Sequence, residues 1–313
     1  MPDMHADRWQ FSRRTLLKGT ATLAGTAVAP WVIGRRSAEA ASPPGTLVIA
    51  APATPQSLDS EYDVSLGTFE AVAACYDSLL EFEKIPDAGV PTALREDIKD
   101  YPDKPGRVNM KGKLAESWDV DPNGTWARFQ LKQGVTSNWG NQLTADDVVW
   151  TWQRKIALGA IGGFMSNTIG LKQPEQIKAE GPNTVLFDLG HPNPLLVKLQ
   201  VNLYNPIYDS KKCKEVATAD DPWAKKFLEN DTAGFGPYRV EQMVRGQQAV
   251  FKGRDDYHAG KPHMHTVILK EVPTSANRVQ LLQGGAVDIA QYLQPLELIS
   301  LQKAPGVAVE TIP

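Results

Sequence analysis

His258, His263 and His265 fall within one short stretch, and imidazole nitrogens are good ligands for divalent nickel. Asp146 and Asp147 are adjacent carboxylates that could mimic an acid/base pair. Thr144 stands three residues before Asp147, the spacing of a capping box, so helix capping and the helix dipole account for both acids. The stretch "DTAGFGPYRV", Asp231–Val240, sets two glycines and a proline where a phosphate cradle could form. Such a cradle needs a helix N-terminus after the glycines, and here the following residues read as a strand. Gly234 and Gly236 are therefore expected to serve backbone geometry, with Pro237 fixing φ where the strand begins. Cys75 and Cys213 make neither a disulfide framework nor a zinc site. They read as two buried thiols, with a single disulfide left open in an oxidising compartment. No Gly-x-Ser-x-Gly elbow, His-Glu-x-x-His helix, P-loop or Cys–His pairing occurs in plausible context, so no enzyme is expected.

The elements that must position these residues belong to an ordinary globular chain of 313 residues, 42% of them hydrophobic, long enough for about two domains. The net charge of −3 hides an asymmetry, because residues 41–313 hold 27 Lys and Arg against 33 Asp and Glu. That balance argues against a nucleic-acid partner, which needs a concentrated basic face. Residues 1–40 read as an address. Arg13 and Arg14, followed by Leu16, Leu17 and Lys18, resemble the twin-arginine export signal. The apolar run that follows is too short and too rich in Ala, Gly and Thr for a membrane span of ~20 apolar residues. Ala38 and Ala40 supply the small residues a signal peptidase reads, which predicts a mature chain from Ala41, exported already folded to the periplasm and not membrane-spanning.

In the mature chain "GTLVIAAP" (Gly45–Pro52) predicts a first strand, and the apolar spacing of Phe69, Val72, Tyr76, Leu79 and Leu80 a helix. The polar stretch between them is a loop at the end of a strand, the place where α/β folds carry ligands. Residues 84–112 read as an irregular excursion. "TWARFQLKQGV" and "NTVLFDL" predict strands; "TADDVVWTWQRKIAL" predicts a capped helix with Val148, Trp152 and Ile156 on one face and Arg154 and Lys155 near its end. "HPNPLLVKLQ" opens a helical turn, and Lys211–Asn230 is polar and helical. From Tyr238 the pattern is strand, strand, turn, strand, helix and strand, the helix "TSANRVQLLQ" stopping at Gly284 and Gly285.

Taken in order, "LDSEYDVSLGTFEAVAACYDSLLEFE", "GKLAESWDVDPNGTWARFQLKQGVTSNWGNQLTADDVVWTWQR", "GFGPYRV" and "DDYHAGKPHMHTVILKEVPTSANRVQLLQGGAVDIA" resemble the family 5 extracellular solute-binding proteins, the peptide-, dipeptide- and nickel-binding components of bacterial ABC importers. The resemblance covers nearly all of the mature chain. It implies an α/β fold of the type II periplasmic-binding-protein class: a first lobe with a mixed sheet, built from residues 41–75 and 231–313, carrying an inserted α+β subdomain at 76–230. Because family members fold as two lobes around a cleft, most of the second lobe is expected to be missing from a chain that stops at "LQKAPGVAVETIP". The implied function is capture of a small solute, most readily a peptide, for an ABC permease driven by an ATPase subunit, by a monomer without cofactor. A secreted hydrolase and a non-transport chaperone are the rival readings. If the loop after the first strand lines the cleft, Tyr62, Ser65, Thr68 and Phe69 are candidate ligand contacts, and Phe164 and Tyr204 border it. Phe69 reads equally well as the first core residue of its helix. Trp118, Trp126, Trp139, Trp150 and Trp152 lie inside the signature block and are expected in the core. The three histidines stand at positions that are generic surface in the family, so no metal is expected.

Overall fold

A computed structural model describes residues 42–86, 94–98, 109–201 and 205–309. Arg13, Arg14, Ala38, Ala40 and Tyr204, singled out by the sequence, lie outside the described residues. Strand β1 (Thr46–Ala51) leads through a loop into helix α1 (Leu66–Cys75). Four short strands follow, β2 (Leu80–Phe82), β3 (Lys84–Pro86), β4 (Leu94–Glu96) and β5 (Met110–Gly112), pairing β2 with β5 and β3 with β4. Next come β6 (Ala115–Val120), β7 (Trp126–Leu131), α2 (Ala145–Leu158), α3 (Ala160–Ile169), β8 (Ile177–Ala179) and β9 (Thr184–Asp188). The short helices α4 (Leu195–Lys198), α5 (Ser210–Val216) and α6 (Lys225–Leu228) precede β10 (Tyr238–Val244), β11 (Gln248–Gly253), β12 (Thr266–Glu271), α7 (Ser275–Gln283), β13 (Ile289–Ala290) and α8 (Pro295–Leu301).

Two sheets organise these elements. The larger runs β10-β11-β12-β1-β13, with β1 parallel to β12 and β13 and the other pairs antiparallel. Strand β1 lies between two neighbours, and its Val48, Ala50 and Ala51 are buried. The smaller sheet, β6-β7-β9-β8, is antiparallel, and its two inner strands, β7 and β9, alternate as a sheet with one buried face must. Phe129 on β7 meets Phe187 on β9 edge-to-face with ring centroids 5.5 Å apart.

Helix α2 serves both cores. Its capping box forms as the spacing predicts, Asp147 accepting from the Thr144 backbone N–H at 2.7 Å. Val148 and Trp152 enter the core of the smaller sheet, whereas Trp150 joins Leu58, Tyr76, Tyr208, Phe251 and Leu269 over the larger one. Cys213, Ala224 and Leu228 pack there too, whereas Ile207 joins the core of the smaller sheet.

Helix α1 ends at Cys75, and Tyr76, expected within it, turns to extended backbone at φ −126° and ψ 152°. The cause is the "GFGPYRV" segment, which crosses at this point. A Cβ on Gly234 would stand 2.2 Å from the Cys75 carbonyl oxygen, and one on Gly236 would stand 2.5 Å from the Cys75 carbonyl carbon. Neither glycine has a positive φ; their role is close approach of two backbones. Gly236 N–H donates to the Cys75 carbonyl at 3.1 Å, and β10 starts two residues later. Leu80 starts β2 instead of continuing the helix, and the strand expected over "AVDIAQYL" pairs only at Ile289 and Ala290.

Candidate functional site

Parallel strands β12, β1 and β13 all end at one edge of the larger sheet, at Glu271, Ala51 and Ala290. The chain leaving β1 is fastened there at once. Thr54 donates its backbone N–H and its hydroxyl to the Glu271 carboxylate at 2.8 and 2.6 Å, and its oxygen accepts from Gly246 N–H at 3.0 Å.

Two ion pairs then pin the loop to helix α2. Asp59 takes both ends of the Arg154 guanidinium, at 2.9 and 2.5 Å, and neither side chain has any exposed surface. The third guanidinium nitrogen of Arg154 donates its Nε–H to the Trp223 carbonyl at 2.9 Å, and the guanidinium carbon lies 5.2 Å from the Tyr208 ring centre. Two residues on, Glu61 holds Lys155 Nζ at 2.5 Å, again fully enclosed. Burial opposes the charge on both cations. For Arg154 the Asp59 carboxylate outweighs that cost and holds the guanidinium proton above its ordinary value; for Lys155 desolvation prevails over Glu61 and the pKa is lowered. The expectation that Arg154 and Lys155 serve the helix end gives way to this pairing. Room for Glu61 comes from Gly162, where a Cβ would stand 1.7 Å from Glu61 Oε2. The Ile161 N–H also donates to the Glu61 carbonyl at 3.3 Å, so the start of α3 closes over the loop.

Asp63 gathers the rest of the loop. It accepts from the N–H groups of Ser57 and Ser65 at 3.2 and 2.8 Å, from the Ser65 hydroxyl at 3.0 Å and from Thr68. Burial raises its pKa, but these donors outweigh it and the net direction is down. Thr68 is 1% exposed, and its hydroxyl also donates to the Ser57 carbonyl at 2.7 Å. Ser65 and Thr68 are thus bound into the loop's own framework, and the side chains the loop turns outward are Tyr62, Val64, Leu66 and Phe69, each between 37% and 51% exposed. One face of Tyr62 is covered by Lys225, whose Nζ lies 3.9 Å from the ring centre. Phe164, on α3, is 68% exposed.

The other two strand ends are stapled by Arg278. Its guanidinium donates to four backbone carbonyls, Val272 and Pro273 after β12 and Gln291 and Tyr292 after β13, at 2.6 to 2.9 Å. Sequence reading missed Arg278, since nothing in its spacing distinguishes a buried arginine from a solvated one.

A polar groove of about 260 Å³, lined by Ser137, Asn138, Arg239, Arg254, Asp255 and Asp256, lies elsewhere. Gly253, at its wall, pairs with Tyr238 and donates its N–H to the carbonyl of His265, the residue before β12, so the groove is at the opposite end of the sheet from Glu271 and Ala51. His258 is not generic surface: its Nε2 lies 2.9 Å from buried Asp77, which also binds Lys113 Nζ at 2.8 Å and the Tyr257 hydroxyl at 3.1 Å. His263 and His265 are exposed, and among the described residues no three His, Cys, Asp or Glu side chains converge to hold a metal. Trp139, expected in the core, is 42% exposed, with Lys212 Nζ 4.1 Å from its ring centre. Cys75 and Cys213 are buried free thiols, pushed up in pKa by desolvation.

Residues 109–313 match the family described as bacterial extracellular solute-binding proteins, family 5 Middle. The chain belongs to this family. Among the relatives of this family 5 protein is the probable D,D-dipeptide-binding periplasmic protein of Escherichia coli, 29% identical over 280 residues, covering 88% of this chain and 49% of the relative. The dipeptide-binding protein of Escherichia coli is 25% identical, with 84% and 49% covered. The fold is that of solved type II periplasmic binding proteins. The Helicobacter pylori periplasmic binding protein in complex with the peptide STSA superposes with a TM-score of 0.66 at 19% identity, over 83% of this chain and 49% of that one. The Pseudoalteromonas dipeptide-binding protein in complex with Met-Leu gives 0.67 at 17% identity, over 83% and 50%. The chain spans about half the length of the curated relatives it matches.

Proposed function

We propose that this family 5 chain supplies one wall of the solute site of an ABC-importer binding protein, with a peptide or similar small solute as ligand. The observation that carries the reading is the clamped loop. Buried pairs to Arg154 and Lys155, together with the Asp63 network, hold the 57–69 segment rigid at the carboxyl ends of parallel strands and turn an apolar, aromatic edge outward. Tyr62, Ser65, Thr68 and Phe69 act within that segment, the tyrosine and phenylalanine rings at the surface and the two hydroxyls as its frame; Phe164 and Tyr204 are further candidate ligand contacts. Preformed geometry of this kind lowers the ordering cost of binding.

In this reading residues 1–40 are a twin-arginine export signal, the site works in the periplasm, and the lobe core is formed by 41–75 and 231–313 around the inserted 76–230. A monomer captures the solute, closure favoured by the ligand is recognised by a permease, and an ATPase subunit drives transport. The protein performs no chemistry on its cargo. Calorimetry with pools of short peptides tests this: heat that saturates with peptide supports it, and silence with peptides alongside tight binding of nickel or a sugar overturns it.

A further inference from the structure

The chain is folded back on itself just before β1 begins. The Pro43 carbonyl accepts from the Thr46 N–H at 2.9 Å across Pro44 and Gly45, and Gly45 sits at φ 77°. A proline followed by a glycine of positive φ is the pattern of a type II turn, so residue type sets the direction of the chain here. Both neighbours of β1 hold this turn. On the β12 side, Thr266 N–H donates to the Gly45 carbonyl at 3.1 Å. On the β13 side, the Ser42 hydroxyl donates to Asp288 Oδ2 at 2.5 Å.

Asp288 directly precedes β13 and is bonded to β1 twice. Its N–H donates to the Val48 carbonyl at 2.8 Å, and its Oδ2 accepts from the Val48 N–H at 2.7 Å. Among the described residues, the donors to this carboxylate are thus neutral and share one oxygen, which leaves an exposed negative charge without a cation. Strand β13 needs the support. It lies at the edge of the larger sheet and pairs with β1 only at Ile289 and Ala290, with Gln291 N–H adding one bond to the Ala50 carbonyl at 3.0 Å.

We infer that removal of the leader supplies the cation: the α-ammonium of Ala41 pairs with Asp288 and latches β13 to the start of the mature chain. In the cleavage, water hydrolyses the Ala40–Ala41 peptide bond under a signal peptidase, leaving a carboxylate on Ala40 and an ammonium on Ala41. Ala41 is bonded directly to Ser42, at a Cα spacing of about 3.8 Å, and Ser42 already touches the carboxylate. Before cleavage the Ala41 nitrogen is a neutral amide with one donor; afterwards it carries a full charge and three donors. Processing is thereby registered in the fold, at a strand whose far end meets the proposed solute wall. The inference rests on reading residues 1–40 as a cleaved export signal and adds a structural consequence of the cut.

The test exports the full chain from a bacterial host, recovers the processed protein and reads its first residue by mass spectrometry. Part of the sample then has its α-amino group converted to a ketone by transamination, which removes the charge and leaves the rest of the chain unchanged. Hydrogen exchange followed by NMR compares the amine and ketone forms of wild type and of Asp288→Asn. In wild type the amine is expected to slow exchange at Val48, Asp288 and Gln291 by about two- to fivefold, the scale of an exposed ion pair, with β7 unaffected. In Asp288→Asn the two forms should exchange alike. Equal exchange of the two wild-type forms, or a difference that survives Asp288→Asn, overturns the latch and leaves the export reading intact. A recovered protein that begins at any residue other than Ala41 overturns the cleavage site and the latch with it.

Discussion

Arg154 grips both carboxylate oxygens of Asp59, 95 residues earlier in the chain, and the pair has no exposed surface. One grip joins the helix shared by the two cores to the loop that leaves β1. Because both charges are desolvated, removing one partner costs far more than removing both. Arg154→Met is expected to destabilise the fold by about 3 to 5 kcal/mol, and pairing it with Asp59→Leu should recover much of that loss. Urea unfolding of the two single variants and the double variant measures the coupling.

Gly162 offers a second way to loosen the loop. An added methyl would meet Glu61 Oε2 and, at 2.8 Å, Lys155 Cγ, so the carboxylate must leave its partner or α3 must lift. Gly162→Ala should cost about 1 to 3 kcal/mol despite its helical position, where alanine is otherwise preferred. Thermal unfolding of Gly162→Ala beside Gly163→Ala measures this, because a methyl at Gly163 meets only the Lys155 carbonyl, at 3.7 Å.

Much of this scaffold is legible in the sequence because its signals are local. Thr144 and Asp147 fix the start of α2, and the strands read over "YRVEQMV" and "QAVFKG" coincide with β10 and β11. The buried cations are not legible in that way. Arg154 and Lys155 sit near a helix C-terminus, where solvated basic residues are common, and their partners Asp59 and Glu61 are 94 or 95 residues away. A signal was present: Arg154 follows Trp150 and Asp147 at helical spacing, and Lys155 follows Val148 and Trp152, so both continue buried stripes. The tight crossing of Cys75 by Gly234 and Gly236 is likewise visible only in three dimensions, since either glycine could equally have marked a left-handed turn.

Asp63 predicts a pH dependence. Its folded pKa is depressed below the ordinary 3.8, so its contribution to stability is present above that value and is lost as pH falls through the folded value. The stability gap between wild type and Asp63→Asn should be constant near neutrality and close progressively below pH 3.8. Chemical unfolding at a series of acidic pH values reads the gap directly.

In the proposed function the clamped loop and the neighbouring strand ends form a wall of a solute site. Hydrogen exchange of the chain with and without a saturating pool of short peptides tests it most directly. Slowed exchange is expected in residues 62–69 and 291–296, with the polar groove at Arg239 and Asp255 unchanged. Protection confined to that groove, or none in the loop while peptide is demonstrably bound, would contradict it.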